Sequence, residues 1–249
     1  MEGRNAVKET WQQNLARGLR NESWVDVHTI KIIRNTAVPV IKFKTRGSEG
    51  KPVVSLDISF ESPGHRGLMS NKLIGDLMQM FPNLLRPIVL VLKAFLSRKS
   101  LCEAFTGGIS SYALLLITAR FLQELGTSEI SDVGAVLLGL LKFMGEDFDP
   151  RCTGISLSRR SYFPRSSPLG QFAETSVSQP HSIPFKFDPL FIEDPLTPGN
   201  NVGRNCFRIL QVQRIFLDAY LGIIDVLKRS ERDGFAYPIL ERLVGNEKS

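Results

Sequence analysis

The stretch KPVVSLDISFESPGHRGLMSNKLIGDLMQMF, residues 51–81, changes its hydrophobic period part-way along. In its first ten residues Val54, Leu56, Ile58 and Phe60 alternate onto one face, as a half-buried strand requires. Asp57 shares the opposite face with Val53, Ser55 and Ser59. A Pro- and Gly-rich linker, ESPGHRG, then leads into apolar residues at helical spacing. A strand-bearing piece joined to a helical piece predicts an α+β chain with its boundary near residue 62. Asp57 also poses the functional question. It is either a solvated surface carboxylate or one member of a catalytic cluster.

Towards the N-terminus, residues 6–20 have apolar positions that fit an amphipathic helix. WVDVHTIKII and AVPVIKFKTR are further strand candidates, and the turn Gly47-Ser48-Glu49-Gly50 makes the last two strands an antiparallel pair. Residues 1–62 are close to the lower limit for an independent core, and read as the remainder of a larger domain. Towards the C-terminus, MSNKLIGDLMQMF, LLRPIVLVLKAFLSRK, SSYALLLITARFLQEL and VGAVLLGLLKFMGE are four apolar helical segments with short turns between them. Ser131 is the expected N-cap of the fourth. Residues 151–190 break the period and predict a long, exposed hairpin or loop with a basic cluster at Arg159, Arg160 and Arg165. A last helix is expected over about 205–229, with Ile209, Val212, Phe216, Ala219, Tyr220, Ile223 and Leu227 in one stripe. The helical piece is thus drawn as 63–235, followed by a tail, 236–249.

The formal net charge of +6 over 249 residues suits phosphate-bearing partners without requiring them. Cys102, Cys152 and Cys206 are widely spaced, and so are His28, His65 and His181, so neither a zinc site nor a disulfide framework is expected. The N-terminal residues show no signal-type apolar core. The longest apolar runs are interrupted by Lys93 and Arg120, so a soluble, intracellular protein without a membrane span is expected.

Three segments can carry chemistry. In FTGGISSY, residues 105–112, a Gly-Gly turn runs into a helix start holding Ser110, Ser111 and Tyr112. Free N–H groups and the dipole make such a start an anion site, while an ordinary Ser cap explains the same letters. Lys93, among apolar neighbours in IVLVLKAFL, either snorkels to the surface or meets an anion in a cleft. FIEDPLTPGNNVGRN, residues 191–205, gathers Asp194, Asn200, Asn201 and Arg204 in a rigid turn. It is either a helix entry with Asx capping or a reader of a nucleobase edge.

In order and spacing, KPVVSLDISF, LVLKAF, FTGGISSYALLLITARFLQ and IEDPLTPGNNVGR resemble the motifs of non-canonical poly(A) polymerases of the nuclear RNA-surveillance type, within the polymerase-β-like nucleotidyltransferases. The resemblance runs from about Leu15 to Tyr220. It implies the C-terminal remainder of a mixed-sheet nucleotidyltransferase (palm) domain, followed by a mostly helical PAP-associated central domain. The implied activity is template-independent addition of adenylates to an RNA 3′ end, with ATP as substrate and Mg²⁺ or Mn²⁺ as cofactor. Asp57 matches the family's third metal-binding carboxylate. Asn71, Lys93, Ser110, Ser111 and Tyr112 match its ribose, triphosphate and base-stacking contacts. Asp194, Asn200, Asn201 and Arg204 fall in its nucleotide-recognition motif, where uridylate-preferring relatives often carry His at the position of Asn200. The implied partners are the RNA 3′ end, a zinc-knuckle RNA-binding protein and a helicase, in the nucleus. The family's other two carboxylates form a D-x-D pair after a Gly-Ser helix start, and Glu2, Glu9, Glu22 and Asp26 do not reproduce that setting. The expectation is an adenylyltransferase chain inactive by itself, with a non-catalytic surveillance scaffold or nucleotide-binding pseudoenzyme as the alternative.

Overall fold

The computed structural model describes residues 10–34, 39–48, 50–59, 66–126, 132–165 and 188–245. The chain divides into two compact units, Met1–Leu68 and Met69–Ser249. Phe60, Ser131 and residues 166–187, all part of the sequence expectations, lie outside the described residues.

In the first unit, helix α1 (Trp11–Arg20) packs on a three-stranded antiparallel sheet of order β1-β2-β3. The strands are β1 (Val25–Ile33), β2 (Val40–Thr45) and β3 (Ser55–Ser59). Period-two patterning decides which face is covered. Ile41 and Phe43 are buried with Leu19 and Val25, Leu56 and Ile58 pack against them, and Lys42, Lys44 and Asp57 take the open face. β1 carries a register shift between Asp26 and Lys31. There the Thr29 hydroxyl donates to the Asp26 carbonyl at 2.6 Å and accepts from the Lys44 N–H at 2.8 Å, so the interrupted ladder keeps its polar groups paired. The connection from β2 to β3 is longer than the expected Gly-rich turn. A bridge between Ser48 and Lys51 closes the tip, and Val54 ties the approach to β3 onto Thr45, its carbonyl accepting from Thr45 N at 2.9 Å and its N–H donating to the Thr45 hydroxyl at 2.8 Å.

The second unit is mostly helical: α2 (Gly67–Met80), α3 (Leu85–Arg98), α4 (Ser111–Leu125), α5 (Val133–Lys142), α6 (Ile209–Asp233) and α7 (Ile239–Val244). All ten residues from Ala113 to Leu122 are buried, because α4 is apolar on every side and so must lie at the centre. The one charged residue within that buried stretch, Arg120, is 3% exposed. The Arg120 guanidinium bonds Glu124 and lies 4.6 Å over the Tyr162 ring, so the charge is compensated inside the fold. Phe95 of α3 and Phe216 of α6 stack at 6.2 Å within the same core. α5 runs into a π-helical turn, Phe143–Asp147, whose Met144 carbonyl accepts from Gln213 Nε2 of α6 at 3.0 Å. The same amide donates to the Phe148 carbonyl at 2.6 Å, which fixes that turn on α6.

Three details correct the sequence reading. The cap of α5 is Asp132, whose carboxylate accepts from Gly134 N and Ala135 N at 2.8 and 3.2 Å. The stretch 151–190, expected as an exposed hairpin or loop, does contain a hairpin, of β4 (Thr153–Ser156) and β5 (Ser161–Pro164), but Ile155 and Leu157 of that hairpin lie in the core. The residues expected as a tail contain α7, whose Leu243 is buried. No single described helix is long and apolar enough to cross a membrane.

Candidate nucleotide site

The Gly-Gly turn works because two backbones approach closely. Gly107 has φ 84°, in the left-handed region, and its carbonyl accepts from Arg208 N at 2.9 Å. A Cβ on Gly108 would lie 2.2 Å from the Leu101 carbonyl oxygen. This turn delivers Ser110 as the N-cap of α4, its hydroxyl accepting from Ala113 N at 3.1 Å. The ordinary capping role is therefore present. Beyond the cap, Ser111 is exposed, and the N–H groups of Ser111 and Tyr112 have no partner among the described residues. They are the donors an anion would use.

Tyr112 is half-buried and packs against the core, with its hydroxyl buried and without a hydrogen bond of ordinary geometry. Burial, and then the nearby Asp194 carboxylate, push its pKa up to about 12. Asp194 is held in turn by three contacts. Its side chain accepts from Leu196 N at 2.9 Å and from Asn200 Nδ2 at 2.8 Å, and its N–H donates to the Asn200 carbonyl at 3.1 Å. Tyr112, Asp194 and Asn200 are thus brought together from two segments far apart in sequence.

The neighbouring Asn201 differs. It is 5% exposed, and its amide donates to Asp188 Oδ2 at 3.0 Å and to the Leu190 carbonyl at 2.9 Å. Its oxygen accepts from Ile192 N at 2.9 Å and Gly203 N at 2.8 Å. Every hydrogen-bonding position of that amide is used within the turn, so no group is left for a base. Arg204 is exposed, with its Nε 3.8 Å from Asp188. Asp188 is the residue sequence reasoning missed. It anchors both Asn201 and Arg204, and its only signal was an Asp before a Pro.

Lys93 projects from the exposed side of α3, the surface alternative, with no ion pair among the described residues. Asn71 is exposed on α2. No hydrogen bond among the described residues links either to the Tyr112–Asp194 cluster. Asp57 belongs to the first unit, on the open face of β3. It sits opposite Lys42 in the ladder, and Lys42 Nζ lies 2.6 Å from its carboxylate. Among the described residues, no three His, Cys, Asp or Glu side chains converge. A single carboxylate already matched by an ammonium does not fit two divalent ions.

No family model matches the sequence. An inactive non-canonical poly(A) RNA polymerase protein, Trf4-2 of Drosophila melanogaster, is 32% identical over 248 residues, which cover 94% of this chain and 56% of that one. The chain is a homologue of the non-canonical poly(A) polymerases. Poly(A) RNA polymerase gld-4 of Caenorhabditis elegans is 29% identical over 232 residues, 90% of this chain and 25% of that one. The chain therefore spans little more than half, or far less, of the length of these polymerases. Among solved structures, the polymerase core of TRAMP, an RNA surveillance complex, superposes with a TM-score of 0.73 at 24% identity. It covers 98% of this chain and 74% of that one. A Cid1 poly(U) polymerase structure with Mg 3′-dATP bound reaches 0.62 at 18% identity over 96% and 78%. The α+β fold is that of nucleotidyltransferase polymerase cores, as expected.

Proposed function

We propose that this chain carries the nucleotide-recognition part of a template-independent RNA 3′-terminal adenylyltransferase, with ATP as its nucleotide. The observation that supports this reading best is the Asn200 amide held by Asp194. A carboxylate can only accept, so Asn200 must turn its NH₂ towards Asp194 and its oxygen away. That oxygen has no partner among the described residues and suits the exocyclic amine of adenine; the carbonyl that uracil presents there would meet a second acceptor. The open N–H groups of Ser111 and Tyr112 then serve the triphosphate, Lys93 supplies a positive charge, and the Tyr112 ring offers a stacking face.

A second reading, a non-catalytic nucleotide-binding protein of RNA surveillance, is favoured by the Lys42–Asp57 pair and by the inactive Drosophila relative. Two measurements on the chain separate these readings. Titration with ATP and with UTP should give tighter ATP binding, with the difference reduced by Asp194→Ala; equal affinities would overturn the base-reading role. Primer extension on a labelled RNA with Mg²⁺ or Mn²⁺, abolished by Asp57→Ala, supports the enzyme, whereas ATP binding without extension supports the second reading. A zinc-knuckle protein, a helicase and a nuclear setting are carried as parts of the proposal by resemblance alone.

A further inference from the structure

Two exposed phenylalanines near the Gly-Gly turn lie outside the Tyr112–Asp194 cluster. Phe105, in the short 3₁₀ turn Ala104–Thr106, is 94% exposed, and Phe207, just before α6, is 65% exposed. Leu210, in the first turn of α6 and three residues on from Phe207, is 66% exposed. Large exposed apolar groups are ordinary when scattered singly, but these lie on two segments that the fold ties together. Arg208 N donates to the Gly107 carbonyl at 2.9 Å, which joins the two directly.

The Phe207 ring is also pinned. Its ring atoms occupy the space beside Gly107, where a Cβ would come within 2.3 Å of them. The aromatic side chain therefore rests on a glycine backbone while most of its surface stays open to solvent. A ring held this way loses little freedom when something stacks on it. The charges around it have one dominant sign. Arg208 Nη1 donates to the Ser100 carbonyl at 3.0 Å, which brings the Arg98–Lys99 end of α3 to the same place, and Arg204 precedes Phe207 in the turn. Glu103 is the acidic side chain on these segments, and Asp188 lies 3.8 Å from Arg204.

We propose that Phe105 and Phe207 form a stacking platform for single-stranded RNA, with Lys99, Arg204 and Arg208 along the phosphate path. Exposed aromatic rings interleaved with cations are the pattern by which single strands are held without reading sequence. The inference rests on the reading above only in that the chain handles RNA. It would give RNA a hold outside the nucleotide pocket, so that the strand could stay bound while its end is exchanged.

The test uses fluorescence anisotropy of the whole chain with labelled oligo(A) and with an abasic oligomer of equal length. Phe105→Ala, Phe207→Ala and Phe207→Leu should each weaken oligo(A) binding about tenfold, the effect of losing one base–aromatic stack. Phe207→Tyr should bind as the parent does, and the abasic oligomer should not distinguish any of the variants. Parallel ATP titrations should be unchanged, so a failed nucleotide reading, seen in Tyr112→Ala or Asp194→Ala, is recorded separately. The proposal is overturned if oligo(A) fails to bind or binds all variants alike. It is also overturned if Phe207→Leu retains full affinity, which would mark the patch as an apolar protein contact. Should Phe207→Ala melt early, Phe105→Ala decides alone, since a side chain that exposed contributes little to the core.

Discussion

At the scale of single residues, the clearest chemical handle is Tyr112. Its folded pKa, raised to about 12 by burial first and Asp194 second, stands above the ordinary 10.0. Above pH 10 the unfolded chain loses this proton while the folded chain keeps it, so stability falls as pH rises from 10 towards about 12 and is fully present below 10. Tyr112→Phe should flatten part of that alkaline slope in denaturant melts at stepped pH. Tyr162 and Cys206, which burial also shifts upward, and Tyr237, raised by its hydrogen bond with Asp233, contribute to the remainder. An unchanged slope would place the Tyr112 hydroxyl in solvent. Asn200→His should move nucleotide preference towards UTP by roughly 1–3 kcal/mol, the worth of one base-edge contact. Competition between ATP and UTP for the chain measures it. At this scale the sequence displayed Asp194 and Asn200 as letters in one turn, but could not separate Asn200, with an open oxygen, from Asn201, whose amide is fully used. Nor could it show Lys42 against Asp57, because that contact depends on ladder register and not on sequence proximity.

At the scale of elements, the helices were legible because each buries a stripe whose 3.6-residue period survives in the sequence. The five helices from α2 to α6 lie where the apolar spacing put them, with ends moved by a few residues. What the period could not show were contacts made through burial or caps. Ser131 and Asp132 are both good capping residues, and backbone geometry selects Asp132. β4 and β5 are short and followed by a polar stretch, so their packing on the core left no long pattern to read. Asp132→Ala should cost about 1 kcal/mol, the usual worth of an N-cap, measured by urea melts. Gly108→Ala should do far more damage, since the added carbon meets the Leu101 carbonyl oxygen at 2.2 Å and must push the turn ahead of α4. The expected outcome is a large loss of stability together with weakened ATP binding. A variant that keeps parental stability and affinity would show that the turn relaxes without moving α4.

At the scale of the whole molecule, two units with separate cores imply two cooperative events. The first unit buries four apolar side chains in its core cluster, against the much larger set around α4. Small cores melt first. Differential scanning calorimetry of the chain should therefore resolve a lower transition moved by Val25→Ala and an upper one moved by Leu116→Ala; a single transition shifted equally by both would show that the units unfold together. The sequence changes its period after residue 60 and suggests a boundary near 62, whereas the two units divide between Leu68 and Met69. The contents of the small unit were visible too, but a sheet of three strands does not announce which ion faces its open side.

The Asn201 amide also sets a limit in time. Inside the turn it is shielded from water, but in a chain held unfolded it is an asparagine like any other, open to hydrolysis. The product, equivalent to Asn201→Asp, would point an acceptor oxygen at the Asp188 carboxylate and the Leu190 carbonyl, where the NH₂ group donated to both. The mismatch is worth about 3 kcal/mol or more, enough to disfavour refolding of that turn. Heat damage should then accumulate with hours spent unfolded rather than with the number of melting cycles. Mass spectrometry should find the deamidated peptide enriched in the fraction that fails to refold.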